Sequence, residues 1–120
     1  MNSSASRRSN VNILMDSYTE EKLAQSLAGR PGFFKLFYDT EDCGCNGVLA
    51  IEILEQPLDT DIKVTVEKFT FLVDRQQESL FDNVLKLEAD RAYPSFKVSS
   101  DSALYSTNVR IRDARDSAAK

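Results

Sequence analysis

The chain has 120 residues, 42% hydrophobic and 28% charged, and its 15 Lys+Arg against 19 Asp+Glu give a formal net charge of −4. That length suits one small domain with one modest core, and the acidic balance argues against a general binder of nucleic acid or anionic membranes, whose affinity comes from a basic surface. The complete lack of His excludes imidazole ligands, His-based triads and His general bases.

Residues 1–10 are Ser/Asn/Arg-rich without periodicity and predict a disordered tail, as do residues 113–120, so the expected domain spans 11–112. Val11 to Leu14 predicts a short opening strand. Ser17-Tyr18-Thr19-Glu20 then reads as a capping box for a helix, with Leu23 and Leu27 on one face and Gly29 and Pro31-Gly32 ending it. Phe33 to Tyr38 is aromatic-rich and extended, and Val48 to Leu54 puts Leu49, Ile51 and Ile53 on one face at period two, which predicts a hairpin. Phe33, Phe34, Phe37 and Tyr38 read as core and cross-strand packing, and Lys35, Lys63, Lys68 and Lys86 as parts of solvated faces.

Gln56 to Asp61 is a turn. Ile62, Val64 and Val66, followed by Phe69, Phe71 and Val73, carry the clearest strand signal in the chain. Asp74 in front of Gln77 predicts an N-capped short helix over 75–82, with Leu80 and Phe81 turned inward. Val84 to Glu88, Ser95 to Val98 and Asn108 to Arg112 each predict a further strand, and Ser99 to Ser102 a turn. The expected class is α+β, mostly β with two short helices.

Both cysteines fall in Cys43-Gly44-Cys45-Asn46-Gly47, on the loop of the first hairpin. Two cysteines are too few for a disulfide scaffold, the chain has no apolar run long enough to span a bilayer, and its first ten residues lack the apolar stretch of a signal peptide. A reducing, cytoplasmic setting is therefore expected. Cysteine thiolates bind soft metals, and Cys-Gly-Cys can aim two sulfurs at one metal or at two adjacent irons. Iron-sulfur clusters and structural zinc usually take four protein ligands, so the site would need a symmetric homodimer, a partner protein or a small thiol to complete it. Asp39, Glu41 and Asp42 could supply hard oxygen donors, and their charge should raise the thiol pKa values, which disfavours a nucleophilic cysteine.

Two plainer readings stand beside this one. Asn46-Gly47 is a common turn pair, so the loop could be simply polar and solvated. A redox dithiol is the other, although thioredoxin-type sites use Cys-x-x-Cys near a helix N-terminus. No Gly-rich phosphate loop, G-x-S-x-G or paired acid/base carboxylates support an enzyme.

The order of a helix, Phe34-Lys35-Leu36-Phe37-Tyr38-Asp39, Cys43-Gly44-Cys45-Asn46-Gly47-Val48, a β-rich middle and Phe71-Leu72-Val73-Asp74 resembles the HesB/IscA-like iron-sulfur cluster biogenesis domain, over residues 11–112. It is most similar to the short Bacillus-type, YqkB-like members. The resemblance implies a compact, mostly β fold. It also implies a non-enzymatic protein that binds iron or an iron-sulfur cluster and passes it to assembly or recipient proteins. The family's A-type carriers add a C-terminal Cys-Gly-Cys motif to a loop cysteine, whereas this chain has no Cys after Cys45, so only Cys43 and Cys45 carry over as ligands. The alternative is a metal-free interaction domain of the same fold that has lost cluster binding.

Overall fold

The structure, a computed structural model, describes residues 11–40 and 47–115. In chain order its elements are β1 (Asn12–Leu14), α1 (Ser17–Leu27), β2 (Phe33–Asp39), β3 (Val48–Leu54), β4 (Asp61–Val66), β5 (Phe69–Asp74), β6 (Val84–Ala89), β7 (Phe96–Ser99), β8 (Leu104–Val109) and β9 (Ile111–Asp113). They form a five-stranded sheet ordered β4-β5-β2-β3-β9 and a four-stranded sheet ordered β1-β6-β7-β8. The alternation read in the sequence decides which faces meet. Phe34, Leu36, Ile51 and Phe71 of the larger sheet share one buried cluster with Ile13, Leu85, Leu87 and Val98 of the smaller one. Phe34 packs on Phe69 edge-on and on Phe71 at a tilt, with ring centroids 5.7 and 5.4 Å away, near the middle of this core.

Helix α1 lies on the smaller sheet at β6. Leu23 is fully buried, and the equally buried Thr19 accepts a hydrogen bond on its hydroxyl from the Ala89 N–H at 3.0 Å, which pins the first turn to the end of β6. The cap differs from the expected Ser17-to-Glu20 box. Asp16 is the N-cap, its carboxylate accepting from the Thr19 N–H at 2.8 Å, and this bond holds its pKa below the usual carboxylate value. The helix ends through two successive residues at positive φ, Ala28 and Gly29.

Three further expectations are corrected. The segment 75–82 is not a second helix but a turn followed by a single 3-10 turn at Glu78–Leu80, and of the two residues expected inside, Phe81 is buried while Leu80 is exposed. Asp74 ends β5 instead of capping a helix: one carboxylate oxygen accepts from Gln76 N–H and the other from the Thr60 hydroxyl. The stretch Asn108 to Arg112 is not one strand. It crosses between the sheets at Arg110, so Val109 ends β8 in one and Ile111 starts β9 in the other, the switch by which β-sandwiches turn corners.

The packed chain also runs past residue 112. Asp113 belongs to β9, and Arg115 is buried, its guanidinium gripping Asp113 with two bonds, Nε to Oδ1 at 2.9 Å and Nη2 to Oδ2 at 2.7 Å. Its Nη1 donates to the carbonyls of Leu27, Arg30 and Pro31 at 3.0 to 3.3 Å, so a cation sits at the C-terminal end of α1 and on the turn that follows it. Gly32 makes room for this clasp: a Cβ there would lie 2.6 Å from Ile53 Cγ2 and 3.3 Å from Arg115 Cδ.

Hydrogen bonds from Arg115 push the Asp113 pKa down to about 2. A depressed folded-state pKa contributes stability that is complete above the unfolded value near 4 and is lost as pH falls through about 2. Because the Asp113 side chain is 44% exposed, solvent screening limits this to about 1 kcal/mol. Chemical denaturation between pH 5 and pH 2 should therefore show Asp113→Asn losing less stability than the parent over this acid window, and parallel curves would contradict the assignment.

Candidate functional site: the base of the β2–β3 hairpin

Strands β2 and β3 pair in antiparallel register from Phe33 opposite Leu54 to Asp39 opposite Val48. The expected hairpin is thus present, and the chain segment with both cysteines joins its two strands. Glu41, Asp42, Cys43 and Cys45 lie outside the described residues. Asp39, Gly47 and the residues that hold them are described.

Strand β2 has a partner on each side only as far as Leu36, which pairs with Val73 near the end of β5. Beyond that point the Gln77 side chain acts as the next strand would. Its Oε1 accepts from the Tyr38 N–H at 2.9 Å, and its Nε2 donates to the Tyr38 carbonyl at 3.3 Å. The Tyr38 ring stacks on Phe81 at 5.8 Å, and Phe81 packs in turn on Tyr105 at 5.7 Å. Burial pushes the Tyr38 phenol pKa up, with a smaller push from Tyr105.

On the opposite face of the sheet, Asp39 Oδ2 accepts from Arg112 Nη2 at 2.9 Å, which ties β9 to the last residue of β2, and the same guanidinium lies 5.7 Å from the Phe37 ring centroid. Asp39, expected as an oxygen donor for a metal, therefore carries an internal cation beside it. At the other strand end Gly47 has φ +101°, and a Cβ there would lie 3.0 Å from Thr40 Cγ2, so the chain re-enters β3 by a path suited to glycine. Among the described residues no three acidic or thiol side chains converge into a metal site.

Sequence reading missed Gln77 and Arg112 as supports of this hairpin end. The sequence pattern puts Gln77 in a short helix and Arg112 in a strand, and neither assignment points to a contact with β2. The composition around each carries no signal for these long-range bonds, which span 39 and 73 residues of sequence.

A two-sheet sandwich with one helix, whose central hairpin is held by Gln77 at the β2 edge and by Arg112 on one face at the end that carries the cysteine segment, is the architecture. The model of the iron-sulphur cluster biosynthesis family matches residues 11–113, and the chain belongs to that family. Solved structures share the fold. A candidate Fe-S biosynthesis protein from Lactobacillus salivarius superposes with a TM-score of 0.73 at 14% identity, covering 88% of this chain and 100% of that one. A second, from Lactobacillus acidophilus, gives 0.61 at 18% identity, covering 91% and 92%. Escherichia coli SufA, involved in biosynthesis of iron-sulfur clusters, gives 0.60 at 14% identity, covering 77% and 82%. A search of curated proteins finds no significant match. Among the described residues no helix is long and apolar enough to cross a membrane.

Proposed function

We propose that this chain is a non-enzymatic accessory or carrier protein of iron-sulfur cluster assembly that takes iron or a cluster as cargo on the Cys43 and Cys45 thiolates. The observation that carries the reading is family membership across residues 11–113 in a chain whose two cysteines both fall between Asp39 and Val48, the paired ends of one hairpin. Thiolates suit iron, and the lack of His leaves them as the soft ligands available to it. Glu41 and Asp42 are the oxygen donors that could supplement them. Asp39 acts mainly through Arg112, holding the strand end in place.

Two thiolates per chain fall short of a four-ligand cluster, so the remainder comes from a second copy of the chain, a recipient protein or a small thiol. The partners are accordingly assembly or recipient proteins, and the compartment is cytoplasmic. In the competing reading the chain is a metal-free interaction domain of the same fold. Iron and acid-labile sulfide measured on protein reconstituted without oxygen, beside a Cys43→Ser/Cys45→Ser variant, separate the two: retention that the variant loses supports cargo binding, and no retention by the parent favours the interaction domain.

A further inference from the structure

A cavity of about 530 Å³ lies between α1, the segment Asp90 to Ser95 and β9. It is at the far end of the β2–β3 hairpin from the cysteines: Ile53, which lines it, pairs with Phe34 near the start of β2. The volume falls within the range of pockets that bury small organic molecules. Phe96, Ile53, Ile111 and Ala89 give it apolar walls, and Tyr18, Lys22 and Arg91 contribute an aromatic ring and two cations.

The charges around the cavity are unevenly committed. The Arg91 guanidinium carbon lies 3.9 Å from the Tyr18 ring centroid and Lys22 Nζ lies 5.5 Å from it, so two cations gather about one ring. Neither belongs to any of the ion pairs among the described residues. Asp16, which feels Arg91 electrostatically, spends a carboxylate oxygen on capping α1. Of the two carboxylates in the lining, Asp113 is neutralised by Arg115, which holds both its oxygens, while Asp90 accepts from the N–H groups of Ala92 and Tyr93 on Oδ1 alone and keeps its charge. Among the described residues, then, Lys22 and Arg91 are cationic donors with no carboxylate in close ion-pair contact, next to apolar walls, although Asp16 acts on Arg91 at longer range. That combination selects an anionic head group carried on a small apolar body.

We propose that this cavity is a binding site for a small organic anion, with a phosphate or carboxylate head group at Lys22 and Arg91 and an aromatic or short aliphatic body against Ile111 and the edge of Phe96. The site is separate from the cysteine segment and does not depend on cluster binding. Titration of the full chain with phenyl phosphate, benzoate, inorganic phosphate and benzyl alcohol, followed by amide NMR shifts, tests it. Phenyl phosphate or benzoate should saturate with shifts centred on Tyr18, Arg91 and Phe96, at least about tenfold more tightly than inorganic phosphate or benzyl alcohol. The tighter of the two identifies the head group. Lys22→Gln/Arg91→Gln should weaken that binding by about tenfold or more, and Ala92→Trp, placed at an exposed lining position, should block it. No saturation by either aromatic anion below about 10 mM, affinity unchanged in both variants, or inorganic phosphate binding as well as phenyl phosphate would each overturn the proposal. Repeating the titration on Cys43→Ser/Cys45→Ser should give the same affinity, whatever that variant does to iron.

Discussion

Arg115→Met should cost about 3 kcal/mol of stability, although the residue sits in a stretch that sequence alone assigns to a tail. The side chain is 1% exposed and serves five partners at once: the Asp113 carboxylate and the carbonyls of Ser26, Leu27, Arg30 and Pro31. Methionine can fill the volume of the aliphatic stem but donates nothing, so the Arg30 and Pro31 carbonyls lose the Arg115 donor and Leu27 keeps only the Arg30 N–H. Two structural links fail together, the attachment of β9 to the helix end and the closure of the helix C-terminus. In a domain of this size the loss corresponds to roughly 12 °C in Tm. Arg112→Met is the comparison: Arg112 also binds a carboxylate, but its side chain is 45% exposed, and the expected cost is about 0.5 kcal/mol. Equal costs for the two would show that the Arg115 clasp is not a structural tie.

Lys35→Met should be at least as damaging, at about 3 to 5 kcal/mol. Lys35, expected on a solvated face, is a correction made by the structure. It is buried, and its Nζ lies 3.0 Å from Asp61 Oδ1, whose side chain is fully inaccessible. The pair sits on the face of the larger sheet that points away from the core, at the start of β4, where Asp61 Oδ2 also accepts from the Leu58 N–H at 2.8 Å. Removing the lysine strands a buried carboxylate with one remaining hydrogen bond, and that uncompensated charge is the main cost. Lys35→Met/Asp61→Asn should therefore recover at least about 1.5 kcal/mol of the loss, because the amide oxygen can still accept from Leu58 while no charge is left behind. Urea denaturation of the two single variants and the double variant measures the coupling. A double variant no more stable than Lys35→Met would contradict it.

Lys35 and Arg115 show where reading the sequence stops. Strand faces were legible because side chains alternate at period two: Leu49, Ile51 and Ile53, or Ile62, Val64 and Val66, announce a buried face whatever lies opposite. Alternation places Lys35 correctly on the other face from Phe34 and Leu36. It does not say that the far side of a sheet is itself covered, and on this one Leu72 is fully buried and Lys35 nearly so.

Helix ends and sheet changes were less legible for a related reason. Asp16 and Ser17 are both good caps, and nothing local decides between them. Val109, Arg110 and Ile111 continue one alternation across a change of sheet that depends on which strand edge is vacant. Gln77 looks like a helix residue because Asp74 stands three residues before it as an N-cap would, but its side-chain amide can also complete a strand edge, and the tertiary bond to Tyr38 wins. At the candidate site, the paired cysteines and the hairpin that presents them come straight from the sequence. The clamps on that hairpin, Gln77 and Arg112, come from the fold.

The most direct test of the functional account is iron and acid-labile sulfide per chain, measured with the oligomeric state on protein reconstituted anaerobically, for the parent and for Cys43→Ser/Cys45→Ser. The account predicts iron bound near stoichiometry by the parent and lost by a variant whose Tm is unchanged. With sulfide present and two chains per cluster, the second copy supplies the missing thiolates. A parent that stays free of iron after reconstitution, or a variant that keeps as much iron as the parent, would contradict it.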